Sequence, residues 1–147
     1  MRLQSAIFTL EDTLFTPGGA AREGLDKALA LFKMEGVWLG AVTALRAEEA
    51  QKALERAGLS SYFRFVLTEQ VALCKADSAT MFERAMKRLH GQKDDTAVFS
   101  GSLAAIEQAG EAGFRTVAVR GGADEEAWRA MRAEATQSLE SYSELLG

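Results

Sequence analysis

The stretch AIFTLEDTLF, residues 6–15, places two acids and two threonines directly after a short apolar run. Glu11 and Asp12 bring carboxylates, which can transfer protons, act as nucleophiles or bind a hard cation. The Thr9 hydroxyl needs a neighbouring base to become a nucleophile, and the one histidine, His90, lies at the end of a predicted helix. The same acids would also suit the N-terminal cap of a following turn. The segment therefore has the residue types of an active site, without an evident way to activate Thr9.

A second set of residues has the donors that a phosphate or a similar anion would need. Ser100-Gly101-Ser102 precedes a predicted helix, whose first backbone N–H groups can hold an anion. Thr43 offers a hydroxyl after another apolar stretch, and Lys75 offers a positive charge. Local roles are the alternative, and the residues favour them for Thr43, which can cap a helix, and for the serine segment, which can simply start its helix. Lys75 can be a solvated side chain. Both interpretations stay open on the residues alone.

Apolar segments rich in β-branched and aromatic residues alternate with segments of helical periodicity. The five predicted strands are residues 3–10, 37–42, 63–67, 96–99 and 115–119. The predicted helices are residues 23–34, 47–57, 79–89, 103–112 and 124–133. This alternation predicts an α/β fold, with a central parallel sheet of about five strands and helices on both faces. Ligands of such folds bind at the carboxyl ends of the strands, where the candidate residues would meet.

The last part of the chain, residues 124–146, is predicted to be an acidic helical tail. We expect five apolar side chains there to pack inward: Trp128, Met131, Leu139, Leu145 and Leu146. The opposite, acidic face would be solvated or would bind a partner.

Composition and charge exclude several classes of function. A formal net charge of −4 and a pI near 5.1 oppose binding to nucleic acid or to an anionic membrane surface. No apolar run approaches the roughly 20 residues of a membrane span, and the N-terminus lacks the features of a signal peptide. A single cysteine, Cys74, fits a reducing cytoplasm. The length of 147 residues predicts one domain.

Four ordered segments resemble motifs of the haloacid dehalogenase (HAD) superfamily, especially its phosphoglycolate phosphatase and β-phosphoglucomutase-like branch. FTLEDTL at residues 8–14 falls in the frame of the opening motif F-D-x-D-G-T-L. Residues 17–43 resemble the helix and second strand that end in Thr or Ser, and KAD at residues 75–77 resembles the K-P-D-P segment. VFSGSLAAIEQAGEAG at residues 98–113 resembles V-F-E-D-S-x-x-G-I-x-A-A-x-x-A-G. The resemblance covers nearly the whole chain and implies a three-layer, Rossmann-like (HAD-like) core domain over residues 1–147.

The residues that carry the reaction of this superfamily are changed here. Its nucleophilic aspartate and its acid–base aspartate correspond to Thr9 and Glu11, and its metal-binding acids correspond to Ser100 and Gly101. Loss of the nucleophile together with the metal ligands implies that the usual magnesium-dependent phosphatase reaction is absent. We therefore expect no cofactor and no metal ligand. The vestigial catalytic positions are Thr9, Glu11, Thr43 and Lys75.

Two functions remain possible. In the favoured one, the chain keeps the fold but not the catalysis. Its open site binds a small phosphate-like anion, or its uncapped face binds a protein partner or a second copy of the chain. The anion-binding candidates are Thr43, Lys75, Ser100, Gly101 and Ser102. In the alternative, the chain is an active phosphohydrolase that uses Glu11 or Asp12 in a non-standard way with Mg²⁺. We also expect a Lys75–Glu11 ion pair to fill the space of metal and phosphate.

The resemblance further implies a cap for which this sequence has no room. Enzymes of the branch usually carry a helical cap between the opening motif and the Pro-Gly segment, and that cap closes the site and selects the substrate. Here only Phe15 and Thr16 separate Leu14 from Pro17. We therefore expect a capless domain, whose site is open to water unless another subunit covers it.

Overall fold

Six parallel strands form one sheet in the computed structural model, which describes residues 3–146. The strands are β1 (Ser5–Thr9), β2 (Trp38–Thr43), β3 (Val66–Thr68), β4 (Thr96–Ser100), β5 (Arg115–Val119) and β6 (Gln137–Leu139). Their order across the sheet is β3-β2-β1-β4-β5-β6, and all neighbouring pairs run parallel. Strand order therefore reverses beside β1, which places the ends of β1, β2 and β4 at the switch point of the fold.

The helices form a layer on each face of this sheet. They are α1 (Leu25–Met34), α2 (Ala47–Arg56), α3 (Glu69–Ala72), α4 (Ala79–Arg88), α5 (Leu103–Glu111) and α6 (Glu125–Glu134). Successive side chains of a strand point to opposite faces, so Phe8 of β1 packs in a cluster with α1 and α2, while Ile7 packs in one with α4 and α5. Because helices cover both faces of the sheet, every residue of β1 is buried. The predicted three-layer α/β fold with a parallel sheet is confirmed, with six strands rather than five.

The third strand differs from its predicted bounds. Pairing in β3 covers Val66–Thr68, whereas the prediction covered residues 63–67. Phe63 and Phe65 pack against opposite clusters, and this alternation gives the preceding segment a strand-like pattern. Thr68 ends the strand and also begins α3, because its side chain accepts a hydrogen bond from the Val71 N–H group.

The prediction of one helical tail is wrong. Helix α6 ends at Glu134, and the chain then forms β6 and a 3-10 turn at Tyr142–Leu146. Two backbone-to-side-chain bonds hold the turning point: Thr116 N–H donates to the Thr136 hydroxyl at 3.1 Å, and Thr136 N–H donates to the Thr116 hydroxyl at 3.0 Å. This distant contact ends the helix where local periodicity alone would continue it.

The apolar residues of the tail mostly lie as predicted. Trp128, Met131 and Leu139 are buried, and Leu145 is half-buried against the main core. Leu146 is 40% exposed, so its predicted inward packing is wrong. Among residues 3–146, none of the helices combines the length and the apolar character of a membrane span.

Candidate functional site

The candidate residues meet at the carboxyl edge of the sheet. Thr9 ends β1, Thr43 ends β2 and Ser100 ends β4, and these three strands are neighbours. A cavity of about 240 Å³ opens at this edge, and Thr9, Glu11, Asp12, Lys75 and Ser102 are among the residues that line it. The structure therefore brings together the separate sequence segments that were predicted to form one site.

Three hydroxyl groups occupy the centre of this edge. The Thr9 hydroxyl oxygen lies 2.6 Å from that of Thr13 and 2.7 Å from that of Ser100. The Gly101 N–H group donates to the Thr13 oxygen at 2.9 Å, and the Ser102 N–H group donates to the Ser100 oxygen at 3.1 Å. Thr9, Thr13 and Ser100 are all buried. Both neighbours of the Thr9 hydroxyl are themselves neutral hydroxyls, and neither is a base that would take its proton at neutral pH.

The loop after β1 is shaped by close backbone contacts. Asp12 has a φ of 57°, in the left-handed region that glycine adopts readily and aspartate tolerates better than most residues. A Cβ atom at Gly101 would lie 2.7 Å from the Asp12 carbonyl oxygen, and one at Gly121 would lie 2.5 Å from it. Gly101 therefore has a steric role beside the loop, which the prediction of an anion-binding glycine did not include.

Glu11 is held by the end of β2. The Thr43 hydroxyl donates to one carboxylate oxygen of Glu11 at 2.7 Å, and the Ala44 N–H group donates to the other at 3.3 Å. The Thr43 oxygen also accepts a hydrogen bond from the Leu45 N–H group. Helix α2 takes Arg46 as its N-cap, so the local alternative of Thr43 as a helix cap is wrong. Thr43 instead positions the Glu11 carboxylate.

The expected Lys75–Glu11 ion pair is not formed. In the part of the chain that the structure describes, no Lys75 nitrogen lies within 4 Å of a Glu11 oxygen. Glu11 already has two donors from β2 and the loop after it, while the Lys75 side chain is exposed at the rim of the cavity. The adjacent Ala76 N–H group donates to the Glu69 carboxylate at 2.6 Å, which holds the Lys75 segment against α3.

The charge of the cavity is negative. Four carboxylates line it, those of Glu11, Asp12, Glu69 and Asp77, against the single ammonium group of Lys75, so the net formal charge is −3. Glu69 and Asp77 were not among the predicted site residues, although they flank Lys75 in the sequence. A cavity with this lining repels anions and attracts cations.

Most donors proposed for anion binding are engaged within the protein. Thr43 donates to Glu11, Ser100 lies against Thr9, and the backbone of Gly101 donates to Thr13. The Ser102 hydroxyl accepts from the Ala105 N–H group, as the N-cap of α5. Among the residues that the structure describes, Lys75 is the one candidate whose polar side chain makes no hydrogen bond or ion pair, and the Ser102 hydroxyl acts only as an acceptor. The local roles suggested by the sequence for the serine segment are therefore present in the structure.

A comparison of the sequence with models of protein families identifies the family of this chain. A family model described as haloacid dehalogenase-like hydrolase matches residues 10–119, about three quarters of the chain. The chain belongs to this family. The resemblance noted from the four motif segments is thereby confirmed. No curated protein matches the sequence.

Solved structures with the same fold come from proteins of low sequence identity. A protein from Thermotoga maritima provisionally assigned as a β-phosphoglucomutase is 15% identical, with 98% of this chain and 97% of that chain covered and a TM-score of 0.82. A β-phosphoglucomutase from Clostridium difficile is 18% identical, with 85% and 52% covered and a TM-score of 0.69. A HAD-superfamily hydrolase from Geobacter sulfurreducens is 20% identical, with 86% and 54% covered and a TM-score of 0.68. The chain spans about half the length of the last two proteins, and at these identities the likeness concerns the fold alone.

The magnesium site of HAD enzymes does not fit the residues of this chain. Magnesium in proteins is bound through carboxylate oxygens, phosphate oxygens and water, in near-ideal octahedral geometry. At the positions that the motif resemblance assigns to the metal ligands, this HAD-like chain has the hydroxyls of Thr9 and Ser100, which bond to each other, and Gly101. Within residues 3–146, no three His, Cys, Asp or Glu side chains converge closely enough to hold a metal ion. No catalytic step through a bound magnesium ion follows from this donor set.

Tyr142 supports the site and was missed by the sequence analysis. Its side chain is fully buried, and its hydroxyl donates to the Thr13 carbonyl oxygen at 2.9 Å. Burial raises the pKa of the Tyr142 phenol well above its ordinary value, against a smaller opposing effect of the Arg22 charge. The phenol therefore stays a neutral donor at any ordinary pH. No motif marks this residue, because the contact joins positions 129 residues apart.

We expect Tyr142→Phe to lower the free energy of unfolding by about 1–3 kcal/mol, because the Thr13 carbonyl loses its buried donor. Urea unfolding followed by circular dichroism measures this loss. Tyr62→Phe is the matched control, since the Tyr62 hydroxyl donates to Asp26 at the surface. That variant should lose less than about 1 kcal/mol. Equal losses in the two variants would contradict the supporting role of Tyr142.

Proposed function

We propose that this chain is a HAD-like protein that has lost phosphatase activity and keeps the fold for binding or assembly. The observation that carries the proposal is the buried hydroxyl network of Thr9, Thr13 and Ser100, which stands where the reaction requires an attacking carboxylate and metal-binding acids. A neutral alcohol in such a network has neither the charge to attack phosphorus nor a base to deprotonate it. Loss of a hydrolase nucleophile alone costs about 10⁶-fold in turnover in a well-studied protease.

The alternative function is an active phosphohydrolase that relies on Glu11 or Asp12. It is favoured by one observation, namely that both carboxylates line the same cavity as Lys75. Against it, Glu11 is already bound by Thr43 and Ala44, and the lining of the cavity is acidic. An anionic phosphate ester would therefore be repelled from the acids that would have to attack it.

Hydrolysis of p-nitrophenyl phosphate in the presence of Mg²⁺ separates the two functions. We expect a rate equal to that of a mock purification, unchanged by Glu11→Gln or by Asp12→Asn. The matched control is Glu48→Gln, which removes an exposed carboxylate in the first turn of α2. Magnesium-dependent turnover that falls about 100-fold or more in Glu11→Gln or in Asp12→Asn, but not in Glu48→Gln, would overturn the proposal.

The site also bears on what the chain would bind. A phosphate-like anion could use Lys75, but the acidic lining makes it the weaker candidate. A protein partner or a second copy of the chain is the stronger one, and it would cover the open edge. This proposal includes a single core domain over residues 1–147 without a cap, supported by one sheet that runs from Ser5 to Leu139. A cytoplasmic location belongs to the same proposal and rests on the presence of one cysteine.

A further inference from the structure

A second cavity lies at the opposite, amino edge of the sheet. Trp38 begins β2, so it lies at the end of that strand remote from Thr43. Beside it is a cavity of about 290 Å³, whose walls include the three aromatic side chains of Trp38, Tyr62 and Phe63. This volume lies just below the usual range of small-molecule sites, about 300–1,000 Å³, so the cavity would take a small ligand.

The charge of this cavity is opposite to that of the protein. Lys33 and Arg64 are among the described residues that line it, and none of those residues is an aspartate or a glutamate. The lining Tyr62 nevertheless donates its hydroxyl to the Asp26 carboxylate at 2.8 Å. The whole chain carries a formal charge of −4, and the cavity at the carboxyl edge is acidic. The amino-edge cavity is therefore a local positive region on an acidic protein, which favours a negatively charged ligand.

Arg64 is held in a position suited to anion binding. Its guanidinium carbon lies 4.0 Å from the centroid of the Trp38 ring, within the range of a cation–π contact. Among the described residues, neither Arg64 nor Lys33 has a carboxylate oxygen within 4 Å of its side-chain nitrogens. This contact holds the guanidinium group over the Trp38 ring without using a carboxylate partner, so less conformational freedom is lost when an anion binds.

Trp38 is itself unusually exposed for its size, at 40%. The His90 ring lies nearly perpendicular to the Trp38 ring, with ring centroids 6.2 Å apart and an angle of 78° between the planes. Tyr62 is fixed by the bond from its hydroxyl to Asp26 at 2.8 Å, so its ring is held in place. A ligand ring could thus replace water on rigid aromatic surfaces, which are enriched in sites that bind flat molecules.

We propose that the amino-edge cavity binds a small molecule in which a planar ring carries a phosphate or carboxylate group. The ring packs against Trp38, Tyr62 and Phe63, and the anionic group accepts hydrogen bonds from Arg64 and Lys33. Charge-assisted bonds of this kind are about twice as strong as neutral ones, which makes the anion the main source of affinity. This site is separate from the carboxyl edge, so the inference goes beyond the proposed function and does not depend on it.

Isothermal titration calorimetry with three matched probes tests the proposal. Phenylphosphonate carries both the ring and the anion and resists hydrolysis, methylphosphonate carries the anion alone, and benzyl alcohol carries the ring alone. We expect saturable binding of phenylphosphonate with a Kd at least about tenfold lower than that of either fragment. Equal affinity for phenylphosphonate and methylphosphonate, or no saturable binding of phenylphosphonate, would overturn the proposal.

Single-residue variants show which cavity binds phenylphosphonate. Arg64→Ala and Lys33→Gln should each weaken phenylphosphonate binding by about tenfold, and Arg64→Lys should weaken it less than Arg64→Ala because it keeps the charge. Lys52→Gln on the exposed side of α2 should leave it unchanged. Loss of binding in Lys75→Gln, with none in Arg64→Ala, would move the site to the carboxyl edge and overturn the inference. Circular dichroism of each variant confirms that it is folded.

Discussion

Phe8→Ala is expected to lower the free energy of unfolding by about 3–5 kcal/mol. Phe8 lies in the central strand and is completely buried. Its ring stacks on Phe99 with centroids 4.5 Å apart, lies nearly perpendicular to the Phe63 ring at 5.9 Å and lies 6.4 Å from Tyr142. Alanine would leave a cavity among three aromatic rings, which are held in place by β4, by the segment before β3 and by the 3-10 turn at Tyr142–Leu146, so little collapse could fill it.

Urea unfolding followed by circular dichroism measures this loss, with two further variants for comparison. Domains of this size are stable by about 5–15 kcal/mol, so Phe8→Ala alone could unfold much of the protein. Phe8→Leu keeps most of the volume and should cost about 1–2 kcal/mol, which keeps the effect measurable. Met34→Ala is the surface control, because Met34 is 79% exposed. A loss in Phe8→Ala no greater than that in Met34→Ala would contradict the described core.

Thr9→Asp is expected to destabilise the protein at pH 8 far more than the neutral, isosteric Thr9→Asn. Thr9 is buried, and its partners are the hydroxyls of Thr13 and Ser100, with no cation in the network. Burial without a cation raises the pKa of a carboxyl group above its unfolded value of about 3.9. The loss of stability caused by the new carboxyl group is therefore absent below a pH of about 3.9. It grows as the pH rises from there towards the pKa of this group in the folded state. A rise of one to two units corresponds to about 1.4–2.7 kcal/mol.

The experiment compares the two variants by urea unfolding at pH 4 and at pH 8. Their stabilities should nearly coincide at pH 4 and separate at pH 8, with Thr9→Asp the less stable. Addition of Mg²⁺ should leave that difference in place, since Ser100 and Gly101 supply no carboxylate beside the new one. Restoration of Thr9→Asp by Mg²⁺ would show that a cation site survives at this edge of the sheet. Equal stability of the variants at pH 8 without Mg²⁺ would contradict the burial of an uncompensated charge at this position.

The fold could be predicted from sequence because its central elements obey local rules. The apolar run of β1 is buried on both faces, and the helices that pack on it show their apolar positions at helical spacing. The sixth strand could not be predicted in this way. Residues 137–139 have little β-branched character, and their position depends on the exchange of hydrogen bonds between Thr116 and Thr136. Contacts between residues that are distant in sequence determine the conformation of this segment.

The candidate site, like the fold, could be predicted from the sequence only in part. Motif spacing led to Thr9, Thr43 and Ser100, and the structure places all three at the ends of adjacent strands. The partners of their side chains could not be read from spacing. Glu11 bonds to Thr43 rather than to Lys75, a choice that depends on side-chain reach and on the backbone after β2.

The bond from Tyr142 to Thr13 links the beginning of this fold to a segment that the ribosome makes much later. A nascent chain carries the loop after β1 for 129 residues before its tyrosine donor exists. During that interval the Thr13 carbonyl has only water as a donor in place of the phenol. The loop after β1 thus gains this buried donor only as a late event of biosynthesis, after β1 to β6 have been translated.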